Sequence, residues 1–213
     1  MTISRRDLED LGNLLVEQAF RYSNGSGPFV LASGETSKYY YYGKSSTLLP
    51  STLRRVAEAL VEVILRSGAE AVGGLEIGSV PISTAVGLAA LDRGKDIPTF
   101  VVRKQRKGHG TDELIAQAYS PDGELLQSGR PVAIVDDVIT KGGSVQQAID
   151  AARALGCRVV LIAVLVERHE GGGDALRARG YDVVSIFRTD EEGRLSINEA
   201  FVERLKAAQA AIG

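Results

Sequence analysis

With 213 residues, 44% of them hydrophobic, the chain is long enough for one large domain with a sizeable core. Its 25 lysines and arginines against 27 aspartates and glutamates leave a net charge of −2, which argues against a general nucleic-acid binder. A single cysteine, Cys157, excludes an intrachain disulfide and a cysteine metal cluster, and two histidines, His109 and His169, argue against a histidine-built zinc site. There is no apolar run of about 18 residues to span a membrane. Acidic Asp7, Glu9 and Asp10 follow Arg5-Arg6 where an export signal would place an apolar segment. A cytoplasmic protein is expected.

In chain order, Ser4 to Asp7 has the form of a capping box, and Leu8, Leu11, Leu14, Leu15 and Ala19 then share one helical face. Asn24 to Pro28 breaks that helix. Phe29 to Ser33 and Ser37 to Lys44 read as two strands joined through Gly34-Glu35. The second strand carries Tyr39, Tyr40, Tyr41 and Tyr42, so alternation sends two rings inward and leaves two as a flat platform for a planar ligand or a partner subunit. Pro50 opens a helix that reaches Arg66 and stops at Gly68. Ala71 to Leu75 is a short strand, and Glu76-Ile-Gly-Ser79 leads into a helix whose first N–H groups can face an anion. Thr99 to Val102 is a further strand. Arg103-Lys-Gln-Arg-Lys-Gly-His-Gly110 follows it with four cations, a histidine and two glycines, at the strand end where open α/β sheets bind ligands. Leu114 to Gln127 suggests a β excursion turning at Pro121-Asp122-Gly123.

The central stretch is Pro131-Val-Ala-Ile-Val-Asp-Asp-Val-Ile-Thr-Lys-Gly-Gly-Ser144. Val132 to Val135 has the short, β-branched, uninterrupted pattern of a strand buried on both faces, ending in Asp136 and Asp137. Thr140, Gly142, Gly143 and Ser144 form a turn before a helix carrying Val145, Ile149, Ala152 and Leu155. Such a loop offers backbone N–H groups to a phosphate, and the carboxylates can accept from two neighbouring sugar hydroxyls. Strands near Val159–Val166 and Val183–Phe187 and a helix from about Asn198 to Ala208 complete the pattern. It predicts an α/β protein with a doubly wound, mostly parallel sheet, a small N-terminal hood and a β excursion after the basic loop. The expected organisation is one domain over 1–213, with residues 1–48 as hood and 49–213 as core. Cys157 and His169 read as packing residues, and Glu191 to Arg194 as a surface turn. Two anion cradles, a diol-binding carboxylate pair, a basic loop and an aromatic platform together describe a ligand with phosphate at each end of a ribose, and a planar ring as second substrate.

Ile134-Val-Asp-Asp-Val-Ile-Thr-Lys-Gly-Gly-Ser144 resembles the phosphoribosyl-diphosphate signature of the type I phosphoribosyltransferases. Within them, nearly the whole chain resembles the orotate phosphoribosyltransferases. Phe29 to Gly34 with Ser37 to Tyr40 is similar to their N-terminal strand pair, Arg103-Lys104 with Lys107-Gly-His-Gly110 to their catalytic loop, Gly74 to Pro81 to their diphosphate loop, and Val166 to Gly171 to the segment whose arginine pairs with the orotate carboxylate. The resemblance implies transfer of a phosphoribosyl group from phosphoribosyl diphosphate to orotate, in pyrimidine (UMP) biosynthesis. It implies Mg²⁺ carried by the substrate diphosphate rather than by direct protein ligands. It assigns catalysis to Arg103, Lys104, Lys107 and His109. Substrate binding falls to Asp136, Asp137, Val138, Ile139, Thr140, Lys141, Gly142, Gly143, Ser144, Arg168, Tyr40, Tyr41 and Lys44. It also implies a homodimer whose basic loop reaches the neighbouring site, with no nucleic-acid or membrane partner. Ala32 stands where the family has a substrate-contacting lysine, and Lys44 or Lys38 is expected to restore part of that charge. The alternatives are a phosphoribosyltransferase for another base, in which Arg168 would form only a surface ion pair with Glu167 or Glu170, and a non-catalytic phosphoribosyl-diphosphate sensor.

Overall fold

The computed structural model of the chain describes residues 3–23, 27, 29–30, 36–37, 39–105, 114–117, 119–120 and 123–210. Helix α1 (Arg5–Ala19) opens with the expected capping box, in which the Ser4 hydroxyl accepts from the Asp7 amide and the Asp7 carboxylate accepts from the Ser4 amide. Leu8, Leu11 and Leu15 are fully buried and anchor the helix. The chain then runs straight into a strand that periodicity did not announce, β1 (Phe20–Tyr22). Strands β2 (Phe29–Val30) and β3 (Thr36–Ser37) pair antiparallel, and β4 (Tyr39–Tyr41) pairs antiparallel with β1. The expected strand from Ser37 to Lys44 is therefore shorter. Its described part ends at Tyr41, and Lys44 opens a helical turn, α2 (Lys44–Thr47). Alternation holds: Tyr39 and Tyr41 are buried, whereas Tyr40 and Tyr42 are exposed.

The remainder alternates helix and strand. Helix α3 (Pro50–Arg66) has proline in its first turn, where no amide partner is needed. It leads to β5 (Ala71–Leu75), α4 (Ser79–Leu91) and β6 (Thr99–Val102). The excursion consists of β7 (Ile115–Gln117), β8 (Tyr119–Ser120) and β9 (Gly123–Glu124). Then come β10 (Pro131–Ile139), α5 (Gly143–Ala154), β11 (Arg158–Glu167), α6 (Gly172–Ala178), β12 (Val183–Thr189), β13 (Leu195–Ile197) and α7 (Glu199–Ala210). Helix α6 and strand β13 carry too few periodic residues to show in the sequence.

The main sheet has the order β13-β12-β11-β10-β5-β6-β7. Its five central strands are parallel, and β13 and β7 close the two edges antiparallel. From β5 the chain winds one way to β6 and the other way from β10 to β12, so the order reverses between β5 and β10. Ligands of open α/β sheets lie outside the strand ends at that point. Alternate residues of β10 feed two cores: Ala133 and Val135 pack with α1, α3, α4 and α7, and Val132 and Ile134 pack with α5. Burial on both faces explains the unbroken apolar run. The strand also outlasts its expected end at Val135. The ladder with β11 continues through Asp136↔Val164, Val138↔Val166 and Ile139↔Glu167, placing both aspartates inside the strand. Among the described residues, no helix is long and apolar enough to cross a membrane.

Candidate active site

The reversal point between β5 and β10 sets Asp136 and Asp137 against the turn after β5. Both are buried, at 6% and 4% exposure. The turn can approach because its last residue is glycine: a methyl carbon on Gly78 would sit 2.5 Å from Asp137 Oδ1 and 2.6 Å from Asp136 Oδ1. Gly43 plays the same part from the hood, where a methyl carbon would lie 2.7 Å from Asp137 Oδ2. Gly78 lies in the turn expected to face an anion, but the approach of either glycine to the carboxylates does not show in the sequence, because only the fold brings them together. Lys44 Nζ lies 3.8 Å from Asp137 Oδ2. Asp136 Oδ1 accepts from the Asp137 amide at 2.9 Å. Desolvation, with the neighbouring Asp137 charge second, holds the Asp136 carboxyl well above the ordinary aspartate range.

Helices α4 and α5 both begin at this crevice without a side-chain cap, in contrast to α1. Their first N–H groups face outward from the helix starts. Gly142, at the start of α5, has φ 83°, a left-handed conformation that favours glycine. Thr140 is half-buried, and Lys141, Gly143 and Ser144 are exposed along the loop. Ile139 is a core residue and Val138 packs against the other core, so neither presents its side chain to the crevice. Behind the loop, Gly172 donates its amide to the Thr140 carbonyl at 2.9 Å, and a methyl carbon on Gly172 would collide with that oxygen. The triple glycine Gly171-Gly172-Gly173 is the one sequence sign of this close packing.

Arg103 and Lys104 follow β6 at the same end of the sheet. The Lys104 amide donates to Glu76 Oε1 at 2.8 Å, tying the start of the basic segment to the turn after β5. Lys107 and His109 lie outside the described residues, as do Ala32 and Lys38.

The tyrosines divide by face. Tyr40 and Tyr42 stack on each other, with centroids 6.4 Å apart and planes at 15°. The Tyr41 ring is not part of that platform. It is buried against Phe20 at 4.8 Å, and its hydroxyl has no hydrogen-bond partner among the described residues. Burial, and then the charges of Asp137 and Asp136, push the Tyr41 phenol well above its ordinary range. Tyr39 meets Arg168, which is only 8% exposed: Arg168 Nε donates to the Tyr39 hydroxyl at 3.0 Å, and the guanidinium lies 4.5 Å from the ring centroid. Glu170 Oε1 is 3.1 Å from Nε, so an ion pair with Glu170 does form, but it is buried rather than on the surface. The terminal nitrogens of Arg168 have no partner among the described residues. His169 is exposed towards Glu191 rather than packed, and Cys157 is a buried packing residue, as expected.

Comparison with known proteins decides what this arrangement belongs to. Residues 49–189 match the phosphoribosyl transferase domain. The orotate phosphoribosyltransferase of Bradyrhizobium diazoefficiens is 37% identical over 177 residues, covering 83% of this chain and 93% of that protein. The chain belongs to the orotate phosphoribosyltransferases. The Mycobacterium tuberculosis orotate phosphoribosyltransferase in complex with Fe(III) dicitrate superposes with a TM-score of 0.72 at 29% identity, over 88% of this chain and 99% of that one. The same enzyme in complex with 5-phospho-α-D-ribosyl 1-diphosphate gives 0.65 at 27%, over 84% and 94%. The mostly parallel sheet and the enzyme class expected from the signature stretch are thus both observed.

The buried carboxylate pair makes a thermodynamic prediction. A raised folded-state value means that Asp136 contributes most favourably below its unfolded value, near 3.8, and that this contribution is lost as pH rises through the folded value. Asp136→Asn should therefore stabilise the ligand-free protein by about 1 kcal/mol or more, roughly 3 °C in Tm, at neutral pH. The gain should shrink as pH is lowered towards 4. Thermal unfolding of both proteins across pH checks this; a gain that grows on acidification contradicts it.

Proposed function

We propose that the chain transfers the phosphoribosyl group of 5-phosphoribosyl 1-diphosphate to orotate, forming orotidine 5′-monophosphate and diphosphate in pyrimidine (UMP) biosynthesis. The observation that carries this reading is the inward face of β4. Tyr41 sits by the carboxylate pair and Tyr39 holds Arg168, and residues two apart along a strand are roughly 7 Å apart. A sugar clamp and a cationic fork at that separation suit a ribose and a carboxylated ring joined to it.

In this reading Asp136 and Asp137 accept hydrogen bonds from the two ribose hydroxyls, and these donors relieve the cost of keeping two buried carboxylates together. Backbone groups from Thr140 to Ser144 receive the 5′-phosphate at the start of α5, and the turn from Glu76 to Ser79 receives the diphosphate at the start of α4. The C1–O bond to diphosphate breaks as N1 of orotate loses its proton and bonds to C1, the proton leaving with the released diphosphate. Negative charge then gathers on the leaving group, and Arg103, Lys104, Lys107 and His109 compensate it. The terminal nitrogens of Arg168 take the orotate carboxylate, and exposed Tyr40 offers its ring to the base. Among the described residues the side chains at the crevice that could ligate a metal are carboxylates, which suits a hard cation held mainly by the substrate's own oxygens. Mg²⁺ so carried supplies positive charge to the diphosphate.

Residues 1–213 act in this reading as one domain, because the hood (1–48) supplies Tyr39, Tyr41 and Lys44 to the core (49–213). The setting is cytoplasmic and the active form a homodimer. Ile77, Leu88 and Leu91, on or just before α4, and Leu48 and Leu49, between α2 and α3, are exposed apolar side chains of the kind that a second copy would cover.

Three measurements test the reading. With Mg²⁺, phosphoribosyl diphosphate and a panel of bases, diphosphate release should match loss of orotate absorbance; release only with another base, or with none, overturns the substrate. Lys44→Ala should raise the KM for phosphoribosyl diphosphate about 10-fold, the scale of one charge-assisted contact, and an unchanged value removes Lys44 from the site. Mixing inactive Arg103→Ala and Asp137→Asn proteins should restore part of the activity if the basic segment serves the partner's site. No recovery in verified mixed dimers would mean that each subunit completes its own.

A further inference from the structure

We infer that Tyr39 is the positioning residue that presents Arg168 to the base, and so carries selectivity for an anionic ring without touching it. The inference rests on the assignment of Arg168 to the orotate carboxylate. An arginine reads a carboxylate well only when its planar fork is held in one orientation, because a free guanidinium samples many and loses entropy on binding.

The structure supplies that hold from one side. Arg168 Nε donates to the Tyr39 hydroxyl at 3.0 Å, and the guanidinium lies over the Tyr39 ring at 4.5 Å. The direction of this bond leaves the Tyr39 proton available to a further acceptor. A hydroxyl that accepts from Arg168 has its own proton to give, and Thr189 Oγ1 lies 3.2 Å away. Thr189 Oγ1 also accepts the His169 amide at 3.2 Å, so both ends of the relay return to the Arg168–His169 segment. Tyr39 is itself immobilised. It is 4% exposed, packs against both Phe20 and Tyr22, and lies so close to Gly193 that a methyl carbon there would overlap its ring.

The consequence is a divided guanidinium. Nε is committed to protein partners, Tyr39 and the nearby Glu170, while the terminal nitrogens have no described partner. Those are the two donors that a bidentate carboxylate needs. A merely structural arginine at this burial would be expected to spend its outer donors on protein acceptors as well, as Arg177 does with both oxygens of Glu167. Glu170 adds a condition. Its Oε1 is buried without a hydrogen bond, so its charge neutralises Arg168 in the empty site but does not occupy the fork.

The test is steady-state kinetics with each substrate varied in turn. Tyr39→Phe keeps the ring over Arg168 and removes only the acceptor. It should raise the KM for orotate roughly 5- to 10-fold, the scale of one hydrogen bond to a charged group, and leave the KM for phosphoribosyl diphosphate within about 2-fold. In an Arg168→Ala background the same change should have no further effect on orotate, because nothing remains to be positioned. Equal rises for both substrates, no rise for orotate, or an undiminished effect in the Arg168→Ala background would each overturn the proposal. Arg168→Ala alone tests the underlying reading: if it leaves the orotate KM unchanged, Arg168 does not bind the base and both ideas fall. Should Tyr39→Phe not fold, Thr189→Val frees the Tyr39 hydroxyl and should give the same split between substrates at smaller size; an even effect on both would count against the relay.

Discussion

Two adjacent carboxylates kept out of water are the constraint on which the rest of the molecule depends. Asp136 and Asp137 cannot leave the crevice, because the ladder with β11 fixes the backbone on both sides of them. They cannot be screened by bulk solvent, since Gly78 and Gly43 bring two turns of chain against them. Lys44 offsets part of the repulsion from 3.8 Å, and the Asp137 amide offsets a little more. What remains is a repulsion that the protein does not fully offset. In the proposed reading, a ligand that brings two hydroxyl donors gains the hydrogen bonds and also relieves that cost, so the parallel sheet serves function by holding an unfavourable pair still.

The neighbouring strand shows that burial alone does not create such a site. Glu167 ends β11 as the aspartates near the end of β10, and it is buried to a similar degree. Desolvation pushes its carboxyl up as well. Arg177 nevertheless bonds both oxygens at 2.7 Å, Ser185 adds a third bond, and Arg188 lies at 3.4 Å, so the carboxyl is held below the ordinary glutamate range. One acid is fully partnered by the protein and fixes the packing of α6 on β11. Among the described residues, Asp136 and Asp137 have acceptor capacity left over. Counting partners, not burial, separates the structural carboxylate from the one available to a substrate.

The same distinction explains what could be read in advance. The strand from Val132, the acid pair, the glycine-hydroxyl turn and helix α5 are local patterns, each decided by residues within a few positions of one another, and they appear in the structure nearly as expected. Strand β10 runs longer than its apolar stretch because β11 continues to pair with it, a fact held in a different segment. Strand β1 was hidden because Phe20, Arg21 and Tyr22 become a strand only by pairing with the tyrosines of β4. Gly43 fell inside the expected strand from Ser37 to Lys44 and Gly78 in the turn from Glu76 to Ser79, and neither announced its approach to the acid pair. The tyrosine run announced two faces without saying what each would meet, and Tyr41 proved to approach the acids by its hydroxyl rather than to offer its ring.

That last point changes how the hood relates to the core. A hood that merely covers the crevice would be replaceable by any strand of suitable shape. Strand β4 instead sets the Tyr41 hydroxyl near the carboxylate pair and the next inward hydroxyl on Arg168, just past the end of β11, so in the proposed reading one short backbone segment holds the two halves of the ligand site in register. Its pairing with β1, directly after α1, passes that register to the same core that packs α3 and α7. A shift of β4 by one residue would turn Tyr39 and Tyr41 outward and bring Tyr40 and Tyr42 in, exchanging both contacts at once. In the proposed reading, base recognition and sugar recognition are therefore not independent features added to the fold. They share a strand, and the packing of the N-terminal helix is part of what sets their spacing.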